Sequence, residues 1–196
     1  MRTLTTERLV LPPWDDRFEE DLCRLSADPR IARYLGDGRP WDRARALARH
    51  REILAHWGEH GFGWRGILLR DGGDERTLGV AALNRLRRDV PGIEEPVIEI
   101  GWWVDPRYWG MGLATEAAAA LRDEAFTDHG AERLVALYQP ANHASGNVMR
   151  KIGMLRHGDI TGPYGEAMRV YVLDRSDWAA ARAVPDRAAY RTTDEV

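Results

Sequence analysis

The chain has 196 residues, a formal net charge of −3, 44% hydrophobic residues and 30% charged residues, which suits one domain with a core large enough to fold unaided. Interspersed charge of both signs argues against a nucleic-acid partner, and no apolar run approaches the ~20 residues that span a bilayer. A lone Cys23 removes any internal disulfide or Cys-rich metal site, so a cytoplasmic protein without membrane or nucleic-acid partners is expected.

Alternation in Arg8-Leu9-Val10-Leu11 predicts a first strand, closed by Pro12-Pro13. Phe18, Leu22 and Leu25 recur at helical spacing, and Asp28-Pro29 opens a short second helix that ends near Gly36. A longer helix follows from Trp41 to about His60, stopped by Gly61. Three strand-like runs come next, Trp64 to Leu69, Leu78 to Leu83 and Val97 to Val104, the first two joined through Arg70-Asp71-Gly72-Gly73-Asp74. The basic stretch Asn84 to Asp89, NRLRRD, reads as a solvated loop. A long helix from Leu113 to Asp128 precedes a strand at Leu134 to Tyr138, and Pro140-Ala141-Asn142 opens a helix that reaches Lys151. Two strands, Met154 to Ile160 and Met168 to Leu173, and a short helix from Asp174 to Arg182 complete the pattern, with RTTDEV a frayed end. The order predicts a mixed α/β (α+β) domain with a mostly antiparallel sheet and one parallel step around the long helix.

The junction DPRYWGMGLATEA, Asp105 to Ala117, puts two glycines directly before a strong helix former. Main-chain N–H groups converging at a helix N-terminus supply donors and the positive end of the helix dipole, so the turn is either an anion cradle or a structural connection. Gly110 and Gly112 allow close approach, and Thr115 can add a hydroxyl donor. A dinucleotide fingerprint fits poorly, because Thr115 stands where a third glycine or alanine belongs and no βαβ unit begins here. A P-loop lacks its Gly-Lys-Ser/Thr.

Arg107-Tyr108-Trp109-Gly110-Met111-Gly112 resembles R/Q-x-x-G-x-G/A, the acyl-CoA pyrophosphate loop of the GNAT superfamily of N-acetyltransferases. Asn142 to Met154, NHASGNVMRKIGM, is similar to that superfamily's N-x-x-A/S-x-x-L-Y-x-K-x-G-F segment. LTTERLVL, EIGWWVDPRYWGMGLATEA and NHAS together resemble the RimJ/RimL-like branch, which acetylates ribosomal-protein N-termini and small amines. The resemblance implies a single acetyltransferase domain over residues 1–178, a C-terminal tail over 179–196, and acetyl-CoA as co-substrate without a metal. It implies that Trp102, Trp103 and Val104 pair with pantetheine and that amides of Trp109, Gly110, Met111, Gly112, Leu113 and Ala114 hold the pyrophosphate. Thr115 would cap it, Arg107 would lie beside it, and Asn142 would bond the pantetheine arm.

Acetyl transfer to an amine needs a base, a donor to the thioester oxygen and a proton for the leaving thiolate. Glu99, in an otherwise apolar strand, is either that base or a strand carboxylate paired with an arginine. Met149 stands where many superfamily members carry a proton-donating Tyr, leaving Ser145 as candidate acid. A helix Ser bonding its own backbone is the alternative, with the thiolate then protonated by water or without a dedicated acid. Tyr34, Trp41, Phe62, Trp64 and Tyr164 are expected to wall the amine site, where aromatic faces accept a cation or a flat ring. The acceptor is expected to be a small-molecule amine or a peptide N-terminus, and a homodimer is left open. His56 and His60, spaced i and i+4, read as surface or substrate-facing residues rather than metal ligands, and Cys23 as core. A non-catalytic acyl-CoA sensor of the same fold is the competing expectation.

Overall fold

The computed structural model describes residues 2–72, 76–86, 88–94 and 96–183. Strands β1 (Leu4–Thr5) and β2 (Leu9–Leu11) lead into three helices, α1 (Glu19–Ser26), α2 (Pro29–Ala32) and α3 (Arg43–His60). Asp28 and Asp42 cap α2 and α3 by accepting from the amides of Arg30 and Arg45, and Gly61 ends α3 at a φ of 71°. The meander β3 (Trp64–Leu69), β4 (Gly79–Arg85) and β5 (Ile98–Val104) follows, then α4 (Leu113–Thr127), β6 (Arg133–Tyr138), α5 (His143–Lys151), β7 (Leu155–Thr161), β8 (Ala167–Asp174) and α6 (Arg175–Ala183).

Among the described residues eight strands form one sheet in the order β1-β2-β3-β4-β5-β6-β8-β7. Every pairing is antiparallel except β5 with β6, the step that α4 spans. Side chains alternate across this sheet. Ala81 and Leu83 of β4 join Leu121, Ala125 and Phe126 in the core under α4, whereas Val80 and Ala82 face Leu22, Ile53 and Trp57 of α1 and α3. Both faces are therefore covered among the described residues.

The sheet opens between β5 and β6. They pair only at Ile98 with Leu134 and Glu99 with Val135; beyond these, β5 keeps its ladder with β4 up to Val104 while β6 continues along β8. From Gly101 onward β5 therefore presents a backbone edge with no strand beside it.

The expected helices and strands are present within a few residues of the predicted limits. Strand β1 was not foreseen, because two residues carry no readable alternation. Helix α6 continues past Trp178 to Ala183, and the Trp178 indole stacks on Phe126 at 5.0 Å and donates to Asp123. The rest of the expected tail, 184–196, lies outside the described residues, as do Gly73 and Asp74 of the expected hairpin turn and Arg87 of the basic stretch.

Candidate active site

A cleft of about 1150 Å³ occupies the gap between β5 and β6 and runs from the N-terminus of α4 to the inner face of α3. One end is built by the glycine turn. Gly110 and Gly112 both adopt a φ of 78°, which side chains strongly disfavour, and Gly112 is the N-cap of α4 with no side chain closing the first turn. The amides of Leu113, Ala114 and Thr115 thus begin the helix uncapped on the cleft wall. A Cβ at Gly110 would meet nothing within 4 Å, so the backbone angle and not crowding within the protein requires glycine there.

The turn is braced from behind. Arg8 donates from Nη1 to the Met111 carbonyl at 2.9 Å and from Nε to Glu116 at 2.6 Å, and Glu116 also accepts from Thr6 Oγ1 and the Arg8 amide. Burial pushes the Glu116 carboxyl up, but these donors outweigh it and hold it below the usual range. Asp105 fixes the other shoulder, accepting from Arg107 and from Arg24 of α1 at 2.7 Å. Burial opposes its ionisation as well, yet the hydrogen bonds from Arg107 and Arg24 bring its pKa down to about 2. Arg8, Glu116, Arg24 and Asp105 are supports that spacing along the chain could not reveal, since each pair spans a long loop.

The Arg107 guanidinium is turned onto Asp105 and is not among the residues that line the cleft, because the capping carboxylate two residues earlier is within reach. The Met111 side chain is 53% exposed and its carbonyl accepts from Arg8. Trp102, Trp103, Val104, Trp109 and Asn142 do line the cleft. Trp109 is locked by its indole N–H donating to the Val104 carbonyl at 2.6 Å, and Asn142 caps α5 by accepting from the Ser145 amide.

Glu99 lies on the cleft wall where the strands part, paired in register with Asn84 of β4. Its carboxyl is pushed up by burial, against a weaker pull down from Arg88 and Arg49. Among the described residues no side chain hydrogen-bonds the carboxylate, so the expected alternative of a strand Glu locked to an arginine does not hold. Ser145 lines the cleft one residue before Gly146. A Cβ at Gly146 would come within 2.7 Å of the Tyr138 hydroxyl, so α5 seats directly on that ring at the end of β6. Tyr138 also lines the cleft; its alternation within β6 marks it only as core, which is why it escaped notice. Met149 is buried and offers no donor at the position of the family's Tyr.

Among the expected wall residues, Tyr34, Trp41, Trp64 and Tyr164 line the cleft. Tyr34 donates to the Ala141 carbonyl at 3.3 Å, and Gly36 lies against the Tyr164 ring, so the loop after α2 reaches the segments before α5 and after β7. Phe62 is a correction. It is 3% exposed in the core under α4, stacked on His60 and touching His129, since the glycines on either side of it interrupt the alternation that Trp64 follows. His56 is buried but lines the cleft, which fits the substrate-facing alternative and not the surface one: Nδ1 bonds the Phe62 carbonyl and Nε2 accepts from the Arg85 amide, which assigns its proton to Nδ1. Cys23 is half-buried beside Arg43, outside both core and cleft. No group of three or more His, Cys, Asp or Glu among the described residues is placed to hold a metal, and none of their helices is long and apolar enough to cross a membrane.

Comparison with known proteins agrees with this geometry. Residues 8–155 match the acetyltransferase (GNAT) domain model. The chain is 44% identical over 156 residues to the uncharacterized N-acetyltransferase YnaD of Bacillus subtilis (strain 168), covering 79% of this chain and 84% of that protein. Among solved structures, an acetyltransferase from Agrobacterium tumefaciens C58 superposes with a TM-score of 0.72 at 31% identity, over 88% of this chain and 94% of that one. The ribosomal L7/L12 α-N-protein acetyltransferase RimL, solved in complex with coenzyme A, shares the fold with a TM-score of 0.71 at 16% identity, over 88% and 98% of the two chains. The family model spans most of the chain and the 44% identical relative covers more than two thirds of it, and the chain belongs to the GNAT acetyltransferase family.

Proposed function

We propose that this acetyltransferase moves the acetyl group of acetyl-CoA to a primary amine, a small molecule or a peptide N-terminus, by direct attack with both substrates bound. The observation that carries the reading is Glu99: an unbonded carboxylate on the wall of the cleft, one residue from the point where β5 loses its partner. The free edge of β5 at Trp102 to Val104 would pair with the amides of the pantetheine arm, and the uncapped amides of α4 would take the pyrophosphate. Asp105, Arg107 and Arg8 would hold the turn in shape from behind. Glu99, with its raised pKa, would accept the amine proton directly or through a water as nitrogen attacks the thioester carbon. Ser145 would return a proton to the leaving sulfur, with Tyr138 positioning α5 beneath it. Placement in the RimJ/RimL-like branch rests on the motifs LTTERLVL and NHAS.

The test is thiol release from acetyl-CoA against N-terminal peptides, polyamines, aminoglycosides and amino acids. Amine-dependent release, lost in Glu99→Gln, is expected. Saturable CoA binding with no release from any acceptor would favour the sensor reading instead.

A further inference from the structure

The acceptor end of the cleft has an unexpected sign of charge. Along the lining of the whole cleft basic side chains outnumber carboxylates by seven to three, and Arg45, Arg49 and Arg88 are among them. Two of the aromatic faces that could receive an ammonium are already taken. On α3, Arg45 lies over the Trp41 ring at 5.1 Å and, one turn later, Arg49 lies over the Trp64 ring at 5.0 Å. Trp103 from β5 meets both indoles edge-on, at 5.5 and 5.1 Å, so the three rings form one apolar wall with guanidinium groups laid across it. Half-buried Arg88, in the loop after β4, lines the same cleft as Glu99 and draws its pKa down. Arg45 and Arg49 are partly balanced by Asp37 and Glu52. An incoming polycation would meet occupied π-faces and an opposing field, whereas a carboxylate would find bidentate donors beside an apolar surface.

We propose that the acceptor is a small amino carboxylate with a flat apolar side chain, its carboxylate held by Arg49 and Arg88 and its side chain laid on Trp103, the ring of the three over which no guanidinium lies among the described residues. The assignment rests on the acetyl-transfer reading for the identity of the reacting amine, and on the charge and aromatic geometry for the rest. Recognition of the carboxylate would also aim the amine at Glu99, which the two arginines approach without ion-pairing to it among the described residues.

The test compares phenylalanine with phenethylamine, which differ by the carboxylate alone, and with spermidine. Binding in the presence of CoA is followed by tryptophan emission excited at a wavelength the ligands do not absorb, and transfer by thiol release. Phenylalanine is expected to be favoured at least about tenfold in both readouts, as for a charge-assisted hydrogen bond. Arg88→Gln is expected to bring the ratio close to one while leaving the KM for acetyl-CoA unchanged. Equal or reversed binding of the pair would overturn the proposal, as would an Arg88→Gln variant that raises the KM for acetyl-CoA and keeps the preference, since the charge would then serve the cofactor phosphates. Release with phenethylamine and no preference would sink this inference and leave acetyl transfer standing. A binding preference with no release from any amine would support the anionic site and count against acetyl transfer.

Discussion

Glu99 combines two costs that one substitution separates. Its folded pKa is raised by burial, so ionisation disfavours the folded state: the stability it allows is fully present below the unfolded pKa and is lost as pH rises through the folded value. Glu99→Gln is therefore expected to melt higher than the parent at neutral pH, with the difference vanishing below about pH 4, near the unfolded carboxyl value, while kcat falls by about 100-fold or more. A variant that is both fully active and unchanged in melting temperature would remove Glu99 from the site. Ser145→Ala is expected to lower kcat with little change in the KM for acetyl-CoA, because its hydroxyl serves the leaving group alone. Gly146→Ala, which would press on the Tyr138 ring from 2.7 Å, is expected to raise that KM as α5 shifts; steady-state kinetics on both variants separates proton donation from seating. At this scale the chain was legible wherever chemistry is local. Glycine spacing announced the turn at 110–112, and an isolated acid in an apolar run announced Glu99. Phe62 falls in the core because a broken alternation turns it from the face that Trp64 follows, and the Arg107 guanidinium is drawn to a capping carboxylate that its own position in the motif does not announce.

Between elements, the interactions that hold the site are long-range and silent in the sequence. Arg65 of β3 is 2% exposed and forms an ion pair with Glu124 of α4, donating from Nε at 3.0 Å and also to the Leu11 carbonyl. This buried pair ties the sheet to the helix whose N-terminus heads the cleft. Glu124→Ala would strand the guanidinium and is expected to cost about 3–5 kcal/mol of stability by denaturant unfolding, with the double replacement by apolar residues of similar volume far less harmful. The periodicity of β3 and α4 predicted both elements, and β3 at its full limits, but not that an arginine in an apolar strand meets a glutamate 59 positions later. The same holds for Arg24 with Asp105 and Tyr34 with Ala141, contacts that exist only once the fold is formed.

On the scale of the whole molecule, a sheet covered on both faces leaves one breach, and the breach coincides with a helix whose first turn is uncapped. The element order was enough to place the single parallel step at this point, since antiparallel neighbours need only hairpins and a parallel pair needs a crossover. Where the strands cease to pair was not readable, because it depends on β6 continuing along β8 after it leaves β5. The central claim is that CoA binds in that breach with its pyrophosphate on α4. Calorimetric titration of CoA into the parent and into Gly112→Val tests it most directly. The account predicts saturable one-site binding for the parent and at least about tenfold weaker binding for a variant that still unfolds cooperatively, since a β-branched residue opposes the left-handed backbone that aims the amides. Equal affinity in the two proteins would contradict it.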